Sequence, residues 1–354
     1  MQGNGRAVIA GLGVALPPSA VQSELWETYF SRHYANGGRR GLAKRIFENS
    51  GVRTRQAAVS PLLEDVSDWS TERRMRRYQV EAVPLGKEAV GRALTEAGLG
   101  ADEIGLFAVC SCTGYATPGL DIILARDMGM APQVQRLFVG HMGCYAALPG
   151  LGTVTDYVAA RGKPALLLCA ELTSLHIQPP GSRADIQQIV SHALFSDAAA
   201  AVVLTPQTVP GYEVSDIAAL TDTTTADHMT WDVTDLGFRM GLSPQVPDVL
   251  STHVRTLTDE LLGRNGLTIG DVDGWAVHPG GPRILDVVQE QLGLSDAGMA
   301  ASRGVLSSYG NCSSPTVLLV LEELRRQAQP PSRVVMLAFG PGLTLYGVLL
   351  TLVK

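Results

Sequence analysis

The 354-residue sequence predicts an α/β layered protein in which buried strands alternate with helices and the second half repeats the plan of the first. Two observations carry this. Short apolar runs without polar alternation recur at Leu106–Ser111, Arg136–Val139, Ala165–Cys169 and Ala199–Leu204, as expected of strands covered on both faces, and the segments between them read as helices. Each half also holds a strand, then a small-residue helix start (Gly143-Cys144 and Gly310-Asn311), then a closing strand pair that begins at Phe195-Ser196-Asp197 or at Phe339-Gly340-Pro341. Such a duplication brings the two helix starts together near a pseudo-twofold axis. The halves are taken as residues 1–222 and 223–354.

In chain order, Arg6 followed by the apolar run Ala7–Leu16 and then Pro17-Pro18-Ser19-Ala20 has the outline of a secretory leader. Gly11 and Gly13 interrupt that run, while Val8, Ile9 and Val14 suit a buried strand, which is the reading adopted. A helix is expected from Cys144 to about Arg161. Residues 222–248, rich in Thr, Asp, Gly and Pro and without periodicity, read as loop or cavity wall. In the second half a strand at Gly274–Val277 precedes a helix over Arg283–Leu292. There Ile284, Val288 and Leu292 fall on one face, and Asp286, Gln289 and Glu290 on the other. Ser314 and Pro315 read as the N-cap and first residue of a helix to Gln327 that carries a Glu322–Arg326 pair, and strands follow at Val334–Ala338 and Tyr346–Val353.

Composition narrows the function. With 45% apolar residues the chain can bury one large core or two fused halves without a disulfide or metal staple. Five cysteines (Cys110, Cys112, Cys144, Cys169, Cys312), an odd number placed in or beside apolar stretches, favour free thiols and a reducing compartment. A net charge of −6 gives no reason to expect nucleic acid, and no apolar run approaches the ~20 residues of a membrane helix, so a soluble cytoplasmic protein is expected. The arginines 73, 74, 76 and 77 read as an ordinary solvated surface.

Three residues could carry chemistry. Cys144, at a helix start, meets backbone N–H groups and the positive end of the helix dipole, which favour a thiolate; the plainer alternative is an inert buried cysteine, which Cys110, Cys169 and Cys312 keep. His278 ends a strand and opens into Pro279-Gly280-Gly281-Pro282, a turn that puts an imidazole at the strand's carboxyl edge, where it is either a partner for Cys144 or simply a turn residue. Asn311 is either a helix-start turn residue or an uncharged donor to an oxyanion. Phe339-Gly340-Pro341-Gly342 reads first as a hairpin connection, and it could equally shape backbone beside a site.

Taken together, Gly143-Cys144, His278-Pro279-Gly280-Gly281-Pro282, Gly310-Asn311-Cys312-Ser313-Ser314, Phe339-Gly340-Pro341-Gly342, Cys110-Ser111-Cys112-Thr113-Gly114 and Ala193-Leu194-Phe195 resemble type III polyketide synthases of the chalcone synthase kind in order and approximate spacing. That resemblance implies a thiolase-like fold of two αβαβα halves and a homodimer. It makes Cys144 the nucleophile, gives His278 and Asn311 the thioester oxygen, and makes Phe195 a gatekeeper between CoA tunnel and cavity. By the same resemblance Cys112, Thr113, His176, Ser313 and Gly342 lie on the substrate side, although Cys112 could instead be a plain core thiol. Trp231 stands where the plant enzymes have glycine, Met240 where they have a phenylalanine, and Thr117 where a methionine reaches across the dimer. Lys44, Arg45, Arg53, Arg55 and Arg283 would meet the CoA phosphates. Acyl-CoA starter and malonyl-CoA would be the substrates, an aliphatic starter is preferred over a flavonoid-type one, and a pyrone or aromatic polyketide is the product. No metal or redox cofactor is called for.

The alternatives are a 3-oxoacyl carrier-protein synthase III and a catalytically silent partner subunit. The synthase III pattern would place Gln-Ala-Asn after the histidine, where this chain has Pro-Gly-Gly. A silent subunit is disfavoured by the joint presence of Cys144, His278 and Asn311.

Overall fold

The computed structural model describes residues 5–35, 39–179 and 186–354. Its main feature is a nine-stranded sheet in the order Gly274–Val277, Arg333–Gly340, Thr344–Val353, Gly211–Thr221, Val8–Ala15, Asp197–Thr205, Ala165–Leu172, Leu106–Cys110 and Gln135–Val139. The middle is thin. Val8–Ala15 and Gly211–Thr221 pair only through Val8 with Glu213 and Ile9 with Tyr212, so the sheet divides into a section of four strands and a section of five. Parallel pairing occurs at the outer edge of each section, and antiparallel pairing toward the middle.

Both sections are covered on both faces, which is why their strands read as unbroken apolar runs. Along Ala165–Leu172, Leu167 and Cys169 enter a central core while Leu166, Leu168 and Ala170 enter an outer one. Along Arg333–Gly340, Val334, Met336 and Ala338 enter that same central core, and Val335, Leu337 and Phe339 enter the opposite outer core. Two helices, Ala147–Arg161 and Thr316–Arg325, supply the central layer through Leu148, Leu151, Val154 and Val317, Leu318, Leu321. The repeat read from the sequence is therefore a repeat of layers, with one central helix from each half.

Val8–Ala15 is a strand in the middle of the sheet, and its glycines have a packing reason. A Cβ on Gly11 would sit 2.1 Å from the carbonyl oxygen of Ala93, and one on Gly13 would sit 2.1 Å from that of Ala89, because the helix Thr71–Ala97 lies directly against the strand. Among the described residues no helix is long and apolar enough to cross a membrane.

Several expectations need correction. The stretch 222–248, read as loop or cavity wall, is a cavity wall with regular structure: Met229–Thr234 and Gly237–Leu242 form an antiparallel hairpin that lines the cavity described below. The strand Gly211–Thr221 went unread, and it belongs to the four-stranded section. On the helix Pro282–Leu292 the core stripe is Leu285, Val288 and Leu292, while Ile284 is turned toward the cavity. Ser314 does not cap the helix that starts at Thr316; its hydroxyl instead donates to Glu171 Oε1 at 2.9 Å. Arg74 is not a surface residue. Its guanidinium is fully buried and donates to the carbonyls of Val66, Ser67, Trp69, Leu175 and Ile177, so backbone oxygen and not water solvates the charge.

Candidate active site

Cys144 owes its position to a turn that few residues tolerate. After the strand Gln135–Val139 the chain passes through His141 at φ 64° and Gly143 at φ 73°, makes a single 3₁₀ turn over Gly143–Tyr145, and enters the helix Ala147–Arg161. The matching turn of the second half holds Asn311. Gly310 adopts φ 71°, Asn311 N–H donates to Leu194 O at 2.8 Å, and Ser196 N–H donates to Asn311 O at 2.9 Å. This two-bond strap ties the halves together at the site. His278 leaves the strand Gly274–Val277 with its N–H on Leu337 O at 2.8 Å, and the following Pro-Gly-Gly-Pro turns the chain away.

The three side chains line one cavity of about 980 Å³ together with Phe195. Its walls are mainly apolar, with Val190, Leu194, Met240 and Leu250 among them, and Arg39 and Arg283 contribute cationic groups. Asn311 Oδ1 accepts from Ser313 N–H at 2.8 Å, which leaves the amide nitrogen to donate to Cys144. His278 is 1% exposed, and neither ring nitrogen has a hydrogen-bond partner among the described residues. A buried polar group is seldom left so, because each orphaned nitrogen costs about 1–3 kcal/mol.

Burial also governs charge here. It pushes the Cys144 thiol up to about 11, against hydrogen bonds from Ser313, Asn311 and the residue's own N–H. It pulls His278 down to about 3. The thiolate expected from the helix start is thus opposed by desolvation, and a lone thiolate or a lone imidazolium is disfavoured.

The inner wall behind Cys144 is tightly filled. Cys112, Thr113, Trp231, Ser313 and Met240 enclose only about 20 Å³ beside it, and a second space of about 40 Å³ lies behind Phe195 against His176. Trp231 Nε1 donates to Cys112 O at 2.8 Å. His176 accepts Phe238 N–H on Nδ1 at 3.0 Å and donates from Nε2 to Thr113 O at 2.7 Å, with its ring stacked 4.6 Å from Phe238. Beneath them lies a group that the sequence reading missed. Glu171, fully buried, accepts from Cys112 N at 3.0 Å, Thr113 Oγ1 at 2.8 Å and Ser314 Oγ at 2.9 Å, and burial raises its carboxyl to about 7. The available signal was a lone acid in an apolar strand, which needs partners to be buried.

The remaining expected residues divide. Gly342 does not face the cavity; its neighbours Phe339 and Leu343 do, and a Cβ on Gly342 would meet Thr344 Oγ1 at 2.2 Å. Arg55 cannot reach a CoA phosphate. It is 7% exposed, bonds to the carbonyls of His192 and Phe195, lies over the rings of Phe30 and Phe47, and is pulled down to about 10 by burial. Lys44 pairs with Glu48 at 3.7 Å, and Arg53 donates to Ser307 Oγ at 2.7 Å; with Arg45 they sit outside the cavity lining. Arg283 lines the cavity, and so does Arg39, which was not foreseen. Thr117 lies apart, in a separate groove with Tyr78, Tyr115 and Phe138.

Comparison with known proteins gives a consistent result. Residues 1–207 match the profile described as chalcone and stilbene synthases, N-terminal domain, and residues 218–354 match the corresponding C-terminal domain. The chain is 34% identical to the alpha-pyrone synthesis polyketide synthase-like Pks18 of Mycobacterium tuberculosis, over 98% of this chain and 92% of that protein. It is 36% identical to 1,3,6,8-tetrahydroxynaphthalene synthase of Streptomyces peucetius, over 97% and 92%. The crystal structure of 1,3,6,8-tetrahydroxynaphthalene synthase from Streptomyces coelicolor, a bacterial type III polyketide synthase, superposes with a TM-score of 0.92 at 29% identity, covering 98% and 99% of the two chains. PKS-I of the brown alga Ectocarpus siliculosus gives 0.91 at 31% identity, covering 98% of each.

Proposed function

The chain belongs to the chalcone and stilbene synthase family and is a type III polyketide synthase, a condensing acyltransferase; from that premise we propose that Cys144, His278 and Asn311 are its catalytic residues. The observation that carries the assignment is their convergence on one cavity, with the buried imidazole of His278 unpaired among the described residues and so available to a substrate. Acyl-CoA loading begins as the Cys144 proton passes to His278. The thiolate attacks the thioester carbonyl, the C–S bond to CoA breaks, and the imidazolium returns its proton to the departing CoA thiolate. Malonyl-CoA then binds with its thioester oxygen against His278 and Asn311. Loss of CO₂ puts negative charge on that oxygen, where two fixed donors in a mainly apolar cavity stabilise the transition state more than the ground state. The carbanion end of the enolate attacks the acyl-Cys144 carbonyl and expels the thiolate, and the lengthened chain leaves on CoA or reloads.

Arg283, with Lys44, Arg45 and Arg53 on the neighbouring surface, suits the CoA phosphates. The apolar lining supports an aliphatic starter. The filled space around Trp231 supports growth within the outer cavity and a pyrone or small aromatic product. Five free thiols support a reducing, cytoplasmic setting. The edge strand Gln135–Val139, with Leu137 and Phe138 each 38% exposed near Tyr115 and Thr117, supports a homodimer built on that edge.

The test is product analysis. Purified enzyme given malonyl-CoA with short, long or aromatic acyl-CoAs, and no carrier protein, should release CO₂ and form a pyrone or aromatic product identified by mass spectrometry. Consumption of malonyl carrier protein alone, with malonyl-CoA inert, would refute the assignment.

A further inference from the structure

Ser313 has no task in the reaction just described, yet three observations set it apart. Its backbone is left-handed, at φ 57°, a conformation that costs a residue with a Cβ about 1–2 kcal/mol and that glycine adopts freely. It is 3% exposed and tied at both ends, its N–H to Asn311 Oδ1 at 2.8 Å and its carbonyl to Thr316 N and Oγ1 at 3.1 and 2.7 Å. Its hydroxyl lies 3.9 Å from Cys112 Sγ and shares with Cys144 the space of about 20 Å³ on the inner wall, where it is a hydrogen-bond partner of that sulfur. Glycine would hold this turn at less cost. What serine adds is the hydroxyl.

We propose, on the reading that Cys144 is the nucleophile, that Ser313 is a positioning residue whose strained turn aims Oγ–H at the Cys144 sulfur and stabilises the thiolate. Burial, then the neighbouring Glu171 carboxyl, push the Cys112 thiol well above its ordinary value, so of the two sulfurs beside Ser313 Oγ it is the one that stays S–H, and its 3.9 Å contact with the hydroxyl can run in either direction. Asn311 and the Cys144 backbone N–H are the other donors to that sulfur. Desolvation and Glu171 oppose them, and His278 faces the same cavity.

The experiment follows iodoacetamide alkylation of Cys144 against pH, with Cys169 as the internal reference. Loss of one hydrogen bond to a thiolate moves a thiol by about one pH unit or more. Ser313→Gly keeps the backbone contacts and tolerates φ 57°, so it should shift the profile about one unit upward and slow alkylation about tenfold at neutral pH. Ser313→Ala should show the same shift with a lower Tm. The shift should persist when Ser313→Gly is combined with His278→Gln. If Cys144 is no more reactive than Cys169 in the unaltered enzyme, the nucleophile reading itself fails. If Cys144 is reactive but Ser313→Gly leaves its profile in place, or the shift vanishes in the His278→Gln background, the role given to Ser313 alone is overturned.

Discussion

Two histidines in this molecule are buried alike and used differently. His176 and His278 are 5% and 1% exposed, and burial pulls each imidazole down to about 3. His176 spends both ring nitrogens on backbone groups of Phe238 and Thr113, whereas His278 spends neither on any described residue. The difference teaches that burial alone does not tell a ring locked into the wall from one open to the cavity. The separating property is whether hydrogen-bonding capacity is used up by the fold or left facing the cavity.

The comparison can be broken in three ways. The largest effect is expected at His176, where His176→Ala removes a stacked ring and orphans Thr113 O and Phe238 N–H. A stability loss of about 5 kcal/mol should appear in urea unfolding, and a loss below about 1 kcal/mol would mean that His176 is not structural. At His278 the balance reverses. His278→Ala should lower the rate of malonyl-CoA decarboxylation about 10²–10³-fold while leaving Tm unchanged or slightly higher, since an unsatisfied group is removed. A large fall in Tm would place His278 with His176.

Glu171 sharpens the contrast with the smallest effect, because it is buried, well supplied with donors and still shifted. Its carboxyl rises from 4.5 to about 7, so the folded chain favours the protonated acid. Its contribution to stability is full below pH 4.5 and is lost as pH rises through about 7. The two histidines run the other way, their contribution present above 6.5 and lost as pH falls toward 3. Glu171→Gln should therefore gain stability relative to the unaltered enzyme between pH 5 and pH 8, by at most roughly 3 kcal/mol. A difference independent of pH would show that Glu171 does not titrate there.

What the sequence disclosed follows the same division. Cys144, His278 and Asn311 were legible because each stands where an apolar run meets glycine or proline, and those breaks mark strand ends and strained turns. Phe195 came with its motif. Glu171 was hidden because one acid inside Ala165–Leu172 only shortens an apparent strand, and its donors come from residues far along the chain. Arg55 and Arg74 were misread for a related reason. The partners of Arg55, and Leu175 and Ile177 among those of Arg74, are carbonyls of distant segments, which no local pattern announces. The hairpin Met229–Leu242 escaped because most of its residues are half-buried, one face toward the cavity and one toward solvent, and its Thr and Asp content mimics a loop.

The strap between Leu194–Ser196 and Asn311 has a consequence for biosynthesis. The sulfur is translated long before the imidazole and the carboxamide, and the five-stranded section that carries it can assemble ahead of the other. Until the later section closes across those two hydrogen bonds, the cavity that brings the Cys144 thiol together with the ring of His278 and the amide of Asn311 does not exist.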